Sequence, residues 1–122
     1  AYLQYAYARI RSIFRKGDVT PEAIRERRPF IALSNPAERS LGLQLLRLPE
    51  TLEVTANERK PNVLCDYLFD LANTYSTFYE ECPVLKAESN ERRDSRLALA
   101  DLTARVLKKG LELLGIDVVD RM

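Results

Sequence analysis

Histidine and tryptophan are absent from the 122 residues, and cysteine occurs only twice. Without histidine there is no Ser-His or Cys-His pair for nucleophilic catalysis and no imidazole to ligate a metal. Cys65 and Cys82 are too far apart in sequence to form a CxxC pair. Both fall in a strongly helical stretch, where a thiol ordinarily behaves as a small buried apolar group; a reducing, cytoplasmic setting fits them. Four glycines leave no glycine-rich phosphate loop. No run approaches the roughly 18 apolar residues of a membrane-spanning helix, and no signal peptide opens the chain. Strand signals are missing too: there are no alternating β-branched runs and no Asn-Gly or Asp-Gly hairpin. Excess charge is also lacking, because 19 basic and 18 acidic residues leave a net +1. Bulk charge therefore predicts no partner, and any affinity for an anion must come from local clustering.

What remains is helix. The chain has the size of one domain, enough to bury roughly two thirds of its unfolded surface around one core. In Tyr2–Arg15, stepping each residue by about 100° puts Leu3, Ala6, Tyr7, Ile10, Ile13 and Phe14 on one face, the face to be buried. Tyr2, Tyr5, Arg9, Ser12 and Lys16 form a second stripe. Gln4, Ala8, Arg11 and Arg15 lie on the far side, and the segment contains no acid. Gly17 should stop this helix in the left-handed conformation.

Thr20-Pro21-Glu22 starts a short helix that Pro29 closes, and its Arg25, Arg27 and Arg28, interleaved with Glu22 and Glu26, suggest a solvated face. Ser34-Asn35-Pro36-Ala37-Glu38 is a stronger start, with a cap, proline at N1 and an acid in the first turn. Leu41, Leu45 and Leu48 follow at helical spacing. Pro49 restarts the helix, with Leu52 and Ala56 on its apolar side to about Glu58, so two short helices meet at a kink. From Pro61, the residues Leu64, Leu68, Leu71, Tyr75, Phe78 and Cys82 step by alternating fours and threes, a long seam that Pro83 ends. Tyr79 stands at its edge with a hydroxyl free to meet water or a ligand. After a charged connection, Ser89 or Asn90 caps a last helix whose predicted inward stripe is Leu99, Leu102, Val106 and Leu113. Gly110 inside it implies close approach by another helix, and Gly115 stops it. The expected fold class is an all-α helical bundle of about five to six helices forming a single domain over residues 1–122.

Three blocks, YLQYAYARIRSI, LANTYSTFYEECPVL and RLALADLTARVLKKGLELLGIDVVDRM, carry a resemblance. They resemble the C-terminal, all-helical DALR-type anticodon-binding domain of arginyl-tRNA synthetases. The similarity runs from Tyr2 to Met122, apart from the connection at 17–34 and the loop near 86–91. The ending GLELLGIDVVDRM is similar to the family's terminal GLxLLGIxxxxRM, which makes Met122 the expected end of a longer protein. The family usually has proline where Ala1 stands.

The resemblance implies a tRNA partner, the anticodon stem-loop of the arginine isoacceptors, and an upstream catalytic domain in the same chain. That domain would use ATP to attach L-arginine to tRNA. Its HIGH and KMSKS-like signatures are missing here, so this domain should bind no cofactor and be inactive alone. Neither a membrane nor DNA is an expected partner. The resemblance also implies that the first helix, the end of the long middle helix and the tail converge on the loop, through Tyr2, Tyr5, Arg9, Arg15, Tyr79 and Met122.

The residues themselves support part of this set. Tyr2, Tyr5 and Arg9 share a stripe suited to stacking on unpaired bases and to placing a guanidinium on a phosphate or base edge. Arg11 and Arg15, one helical turn apart, suit neighbouring phosphates. Bland alternatives stand beside these: Tyr5 and Tyr79 as packing residues, Arg11 as a solubilising surface charge, Met122 as a frayed end. The family often has histidine at the position of Tyr7, which here falls on the apolar face and is expected to pack. A competing function is a cytosolic helical module that docks a protein partner through an exposed seam, which the acid-free arginine and tyrosine stripe disfavours.

Overall fold

The alternating steps of four and three from Leu64 to Cys82 build the longest amphipathic seam of the molecule, and all six seam residues are buried. In the computed structural model, which describes residues 1–122, this seam belongs to one of six helices. They are α1 (Tyr2–Lys16), α2 (Pro21–Arg27), α3 (Pro36–Leu46), α4 (Leu48–Glu58), α5 (Pro61–Glu81) and α6 (Asn90–Leu113). α5 packs on α3, α4 and α6, and α1 lies across α6 with its flank against α5. No helix is long and apolar enough to cross a membrane.

The ends of these helices follow local chemistry. The Thr20 hydroxyl accepts from the Ala23 amide at 3.1 Å, and Ser89 does the same for Arg92 at 3.2 Å. Asn35 and Glu38 make a reciprocal capping box at the start of α3. At the end of α6, Gly115 takes φ +80, the Gly115 amide donates to the Glu112 carbonyl, and the Ile116 amide donates to Leu111. That pairing satisfies the last carbonyls and turns the chain back along the bundle.

Several expectations need correction, among them Ala8, which is buried rather than on the far side of α1. Gly17 is not left-handed: its φ is −85, and Asp18, at φ 53, makes the turn. Gly17 sits close under the Leu85 side chain, whose end would have to shift for a Cβ there, 2.6 Å away. Ala56 is exposed rather than inward-facing. Arg25 is not on a solvated face, because its guanidinium grips Asp101 with two hydrogen bonds, at 2.9 and 3.0 Å. The largest departure is in α6. Leu113 is exposed, Leu102 and Val106 are only partly buried, and the core side is Leu97, Ala100, Ala104, Leu107 and Leu111, with Leu99. α6 is buried nearly all round its middle because α1, α2, α3 and α5 all pack on it. A helix in that position has no single apolar stripe to find.

Gly110 is where α5 presses closest to α6: a Cβ at this position would sit 2.7 Å from both Leu68 methyl carbons. Leu68→Ala is expected to cost roughly 2–5 kcal/mol. Gly110→Ala is expected to cost about 1–3 kcal/mol from overpacking, despite alanine's better helix propensity. Since both changes act on one volume, the double variant should be clearly more stable than the sum of the single losses, as read by urea denaturation. Additive losses would show that the two residues do not share this space.

Candidate nucleic-acid interface

α1 presents three faces, and each meets a different environment. Leu3, Tyr7, Ile10, Ile13 and Phe14 enter the core. Opposite the acid-free stripe runs α5, and between them lies a groove of about 330 Å³. From α1 it is lined by Tyr2, Tyr5, Ala6, Arg9, Ser12, Ile13 and Lys16, and from α5 by Tyr75, Ser76, Tyr79 and Glu80. Glu80 is its one acid.

Tyr2 closes one end. Its ring stacks on Phe69 with centroids 5.6 Å apart and planes 6° from parallel, and its hydroxyl donates to Asn73 Oδ1 at 2.8 Å. Tyr5 is 51% exposed. Its ring stacks on no other ring and lines the groove. Arg9 and Lys16 are exposed and form no salt bridge, which leaves two cations on the rim. Tyr79, 43% exposed, stacks on Tyr75 at 6.3 Å. Tyr2, Tyr5, Arg9 and Tyr79 are therefore brought together, although Tyr79 is far from the others in sequence.

The third face of α1 is covered. Gln4 donates to the Asp117 carbonyl at 2.8 Å and Arg15 to the Asp120 carbonyl at 3.0 Å, so the segment after Gly115 is strapped along α1. Arg15 keeps an exposed position there. Met122 is 59% exposed and does not line the tyrosine groove. Arg11 departs from its expected place among neighbouring phosphates. Its side chain is only 12% exposed, and Nη1 donates to Asp101 at 2.9 Å. Nε donates to the Tyr7 hydroxyl at 3.3 Å, and the guanidinium lies over the Tyr7 and Phe14 rings. Arg11 is thus an internal cation joining α1 to α6.

A second, wider hollow of about 1120 Å³ opens between α1, α2 and α6. Its larger volume does not make it the better anion site. Arg15, Arg105, Lys108, Lys109 and Arg121 there alternate with Asp18, Glu22, Glu112 and Asp120, and Lys108 pairs with Glu112 at 3.8 Å. Lys16 and Tyr75 are groove residues outside the set expected from the sequence. Lys16 was visible in the Tyr5 and Arg9 stripe, whereas Tyr75 was hidden by its place in the core seam.

Exposed tyrosines beside cations that form no salt bridge, on an all-helical frame, are the kind of surface that nucleic-acid-binding modules use. The chain belongs to the DALR anticodon binding domain family, which matches residues 3–122. It is 50% identical over 121 residues to the arginine–tRNA ligase of Proteus mirabilis, covering 99% of this chain and 20% of that protein. The enzyme of Enterobacter sp. is 47% identical over 121 residues, with 21% of its length covered. Among solved structures, the arginyl-tRNA synthetase of Thermus thermophilus superposes with a TM-score of 0.84 at 37% identity. That of Plasmodium falciparum superposes with a TM-score of 0.85 at 35% identity. Each match covers 99% of this chain and 21% of the solved chain. The chain thus spans about a fifth of the length of these relatives.

Proposed function

We propose that the domain holds the anticodon stem-loop of arginine tRNA as part of a cytoplasmic arginine–tRNA ligase, whose catalytic portion joins L-arginine to tRNA at the expense of ATP. The observation that carries this proposal is the groove between α1 and α5, where Tyr2, Tyr5 and Tyr79 surround Arg9 and Lys16 with Glu80 as the one acid. Splayed loop bases stack on the exposed tyrosines, and Arg9 and Lys16 meet the backbone that carries them. Family membership and the arginine–tRNA ligase relatives favour this RNA over others. Arg15 and Met122 lie outside the groove, on the strapped-tail side of α1, and are assigned as outer contacts of the same loop; Arg11 is withdrawn from the contact set because Asp101 occupies it.

The test is a titration of the chain with the arginine anticodon stem-loop and with a scrambled loop at several salt concentrations. Preference for the native loop and a steep loss of affinity with salt are expected. Equal affinity for both loops, or no binding at low salt, rejects the proposal and leaves a protein-docking module as the better account. Arg9→Ala should weaken loop binding by roughly 1–3 kcal/mol, a charge-assisted contact, while leaving stability within about 0.5 kcal/mol because Arg9 is exposed and unpaired. Unfolding of that variant would contradict the assignment of faces on α1.

A further inference from the structure

Tyr75 is the one groove residue with a buried side-chain polar atom that makes no hydrogen bond. It is 7% exposed, and its hydroxyl, shielded from solvent, makes no hydrogen bond. Buried hydroxyls are nearly always paired, because leaving one unpaired forfeits its hydration without return. The other tyrosines buried in this fold obey that rule. The Tyr67 hydroxyl donates to the Gln44 carbonyl at 2.6 Å, and the Tyr7 hydroxyl accepts from Arg11 at 3.3 Å. Tyr75 is also placed differently from them, since it lines the α1–α5 groove beneath Tyr79. An apolar phenylalanine would fill the same seam position in α5 without the penalty, as Phe78 does one turn on.

We propose that the Tyr75 hydroxyl is a specificity-determining donor for an unpaired nucleobase: when a base enters the groove and Tyr79 gives way, the hydroxyl meets a carbonyl oxygen or ring nitrogen on that base's edge. This rests on the RNA-binding reading above and adds to it a residue that reads the edge of a base where Tyr5 and Tyr79 supply only faces. Tyr79 is 43% exposed, stacks on Tyr75 and makes no side-chain hydrogen bond, so displacing its ring breaks no polar contact. Burial pushes the Tyr75 phenol well above its ordinary pKa, more than the opposing influence of Arg9 lowers it, so the group stays a donor throughout the neutral range. A site with a buried donor discriminates strongly against a ligand that offers it no acceptor, because the donor is then left unpaired a second time.

Tyr75→Phe tests this, with Tyr67→Phe as its counterpart. Tyr75→Phe should keep or raise the thermal midpoint, since it removes an unpaired polar atom. It should also weaken binding of the native anticodon stem-loop by roughly three- to tenfold, the worth of one neutral hydrogen bond, and narrow the margin over the scrambled loop. Tyr67→Phe loses a hydrogen bond already made in the free chain, so its midpoint should fall with loop affinity unchanged. Unaltered affinity in Tyr75→Phe overturns the inference, as does a lowered midpoint, which would mean the hydroxyl is already paired in the free chain. An affinity loss shared by both variants overturns it as well. Failure of the unsubstituted chain to bind either loop removes the RNA reading itself, and the inference with it; native-loop binding that Tyr75→Phe leaves intact removes the inference alone.

Discussion

Glu38→Ala is expected to destabilise the fold by about 3–5 kcal/mol, a large fraction of what a domain of this size has to lose. Glu38 and Arg96 form an ion pair at 3.1 Å with side chains only 2% and 3% exposed, and it fastens the first turn of α3 to α6. The second Glu38 oxygen accepts the Asn35 amide at 2.9 Å, so one carboxylate closes the capping box and neutralises the arginine. With the carboxylate gone, Arg96 keeps its hydrogen bond to the Pro83 carbonyl at 2.7 Å but has no close anion. Glu88, 3.9 Å away and 66% exposed, is a weak substitute. The cost arises from the stranded charge rather than from the pair's intrinsic strength, because desolvation of two ions offsets most of their attraction. A second variant separates these: Glu38→Ala combined with Arg96→Met should recover much of the loss, since an apolar side chain of similar length leaves no buried charge behind. Urea denaturation of the two variants reads the difference. A single variant that loses under about 1 kcal/mol would show that water reaches Arg96.

Both ion-pair hubs of this fold were poorly legible in the sequence, for a physical reason. Local pattern shows Glu38 as a favourable acid in a first turn, which it is, but nothing local announces that its other oxygen meets Arg96, 58 positions away. Neither the phosphate contact expected of Arg11 nor the solvated face expected of Arg25 survives, because their shared partner, Asp101, lies 90 and 76 positions from them. Local periodicity succeeded where one face meets one neighbour: the α5 seam, the buried face of α1, and the caps at Thr20, Asn35 and Ser89. It failed on α6, whose small residues Ala100, Thr103 and Ala104 let several helices approach at once. The groove was half legible. The Tyr2, Tyr5 and Arg9 stripe follows from helical spacing alone, but the pairing of that stripe with the Tyr79 end of α5 is set by the tertiary packing.

Asp101→Asn is expected to cost about 3 kcal/mol at pH 7 and to remove much of the acid sensitivity of the fold. Asp101 is 2% exposed and receives hydrogen bonds from Arg11 Nη1, Arg25 Nε and Arg25 Nη2, so it ties α1 and α2 to α6 at one carboxylate. Burial disfavours the charged carboxylate, but the hydrogen bonds from Arg25 and Arg11 together with their positive charges outweigh it and hold Asp101 below its ordinary pKa. A folded-state pKa below the unfolded value means that ionised Asp101 stabilises the fold fully above about pH 4, and that this contribution fades as pH falls through the folded-state value. The stability gap between the unsubstituted chain and Asp101→Asn should therefore be flat from pH 7 to about 5 and close progressively in stronger acid. Arg25, 40% exposed, turns to solvent in the variant, whereas Arg11, 12% exposed, stays trapped between Tyr7 and Phe14 with half a partner. The loss is at the low end for a broken buried pair because asparagine still offers one acceptor. Thermal unfolding across this pH range measures the gap, and a gap that widens in acid would contradict the ionised knot. The groove should register the same lesion, since Arg11 is the buried ionic anchor of α1 and Tyr5 and Arg9 stand on that helix. Loosening the Asp101 knot should lower loop affinity without touching a groove residue, and Arg25→Ala, which leaves the Arg11–Asp101 contact in place, should lower it less.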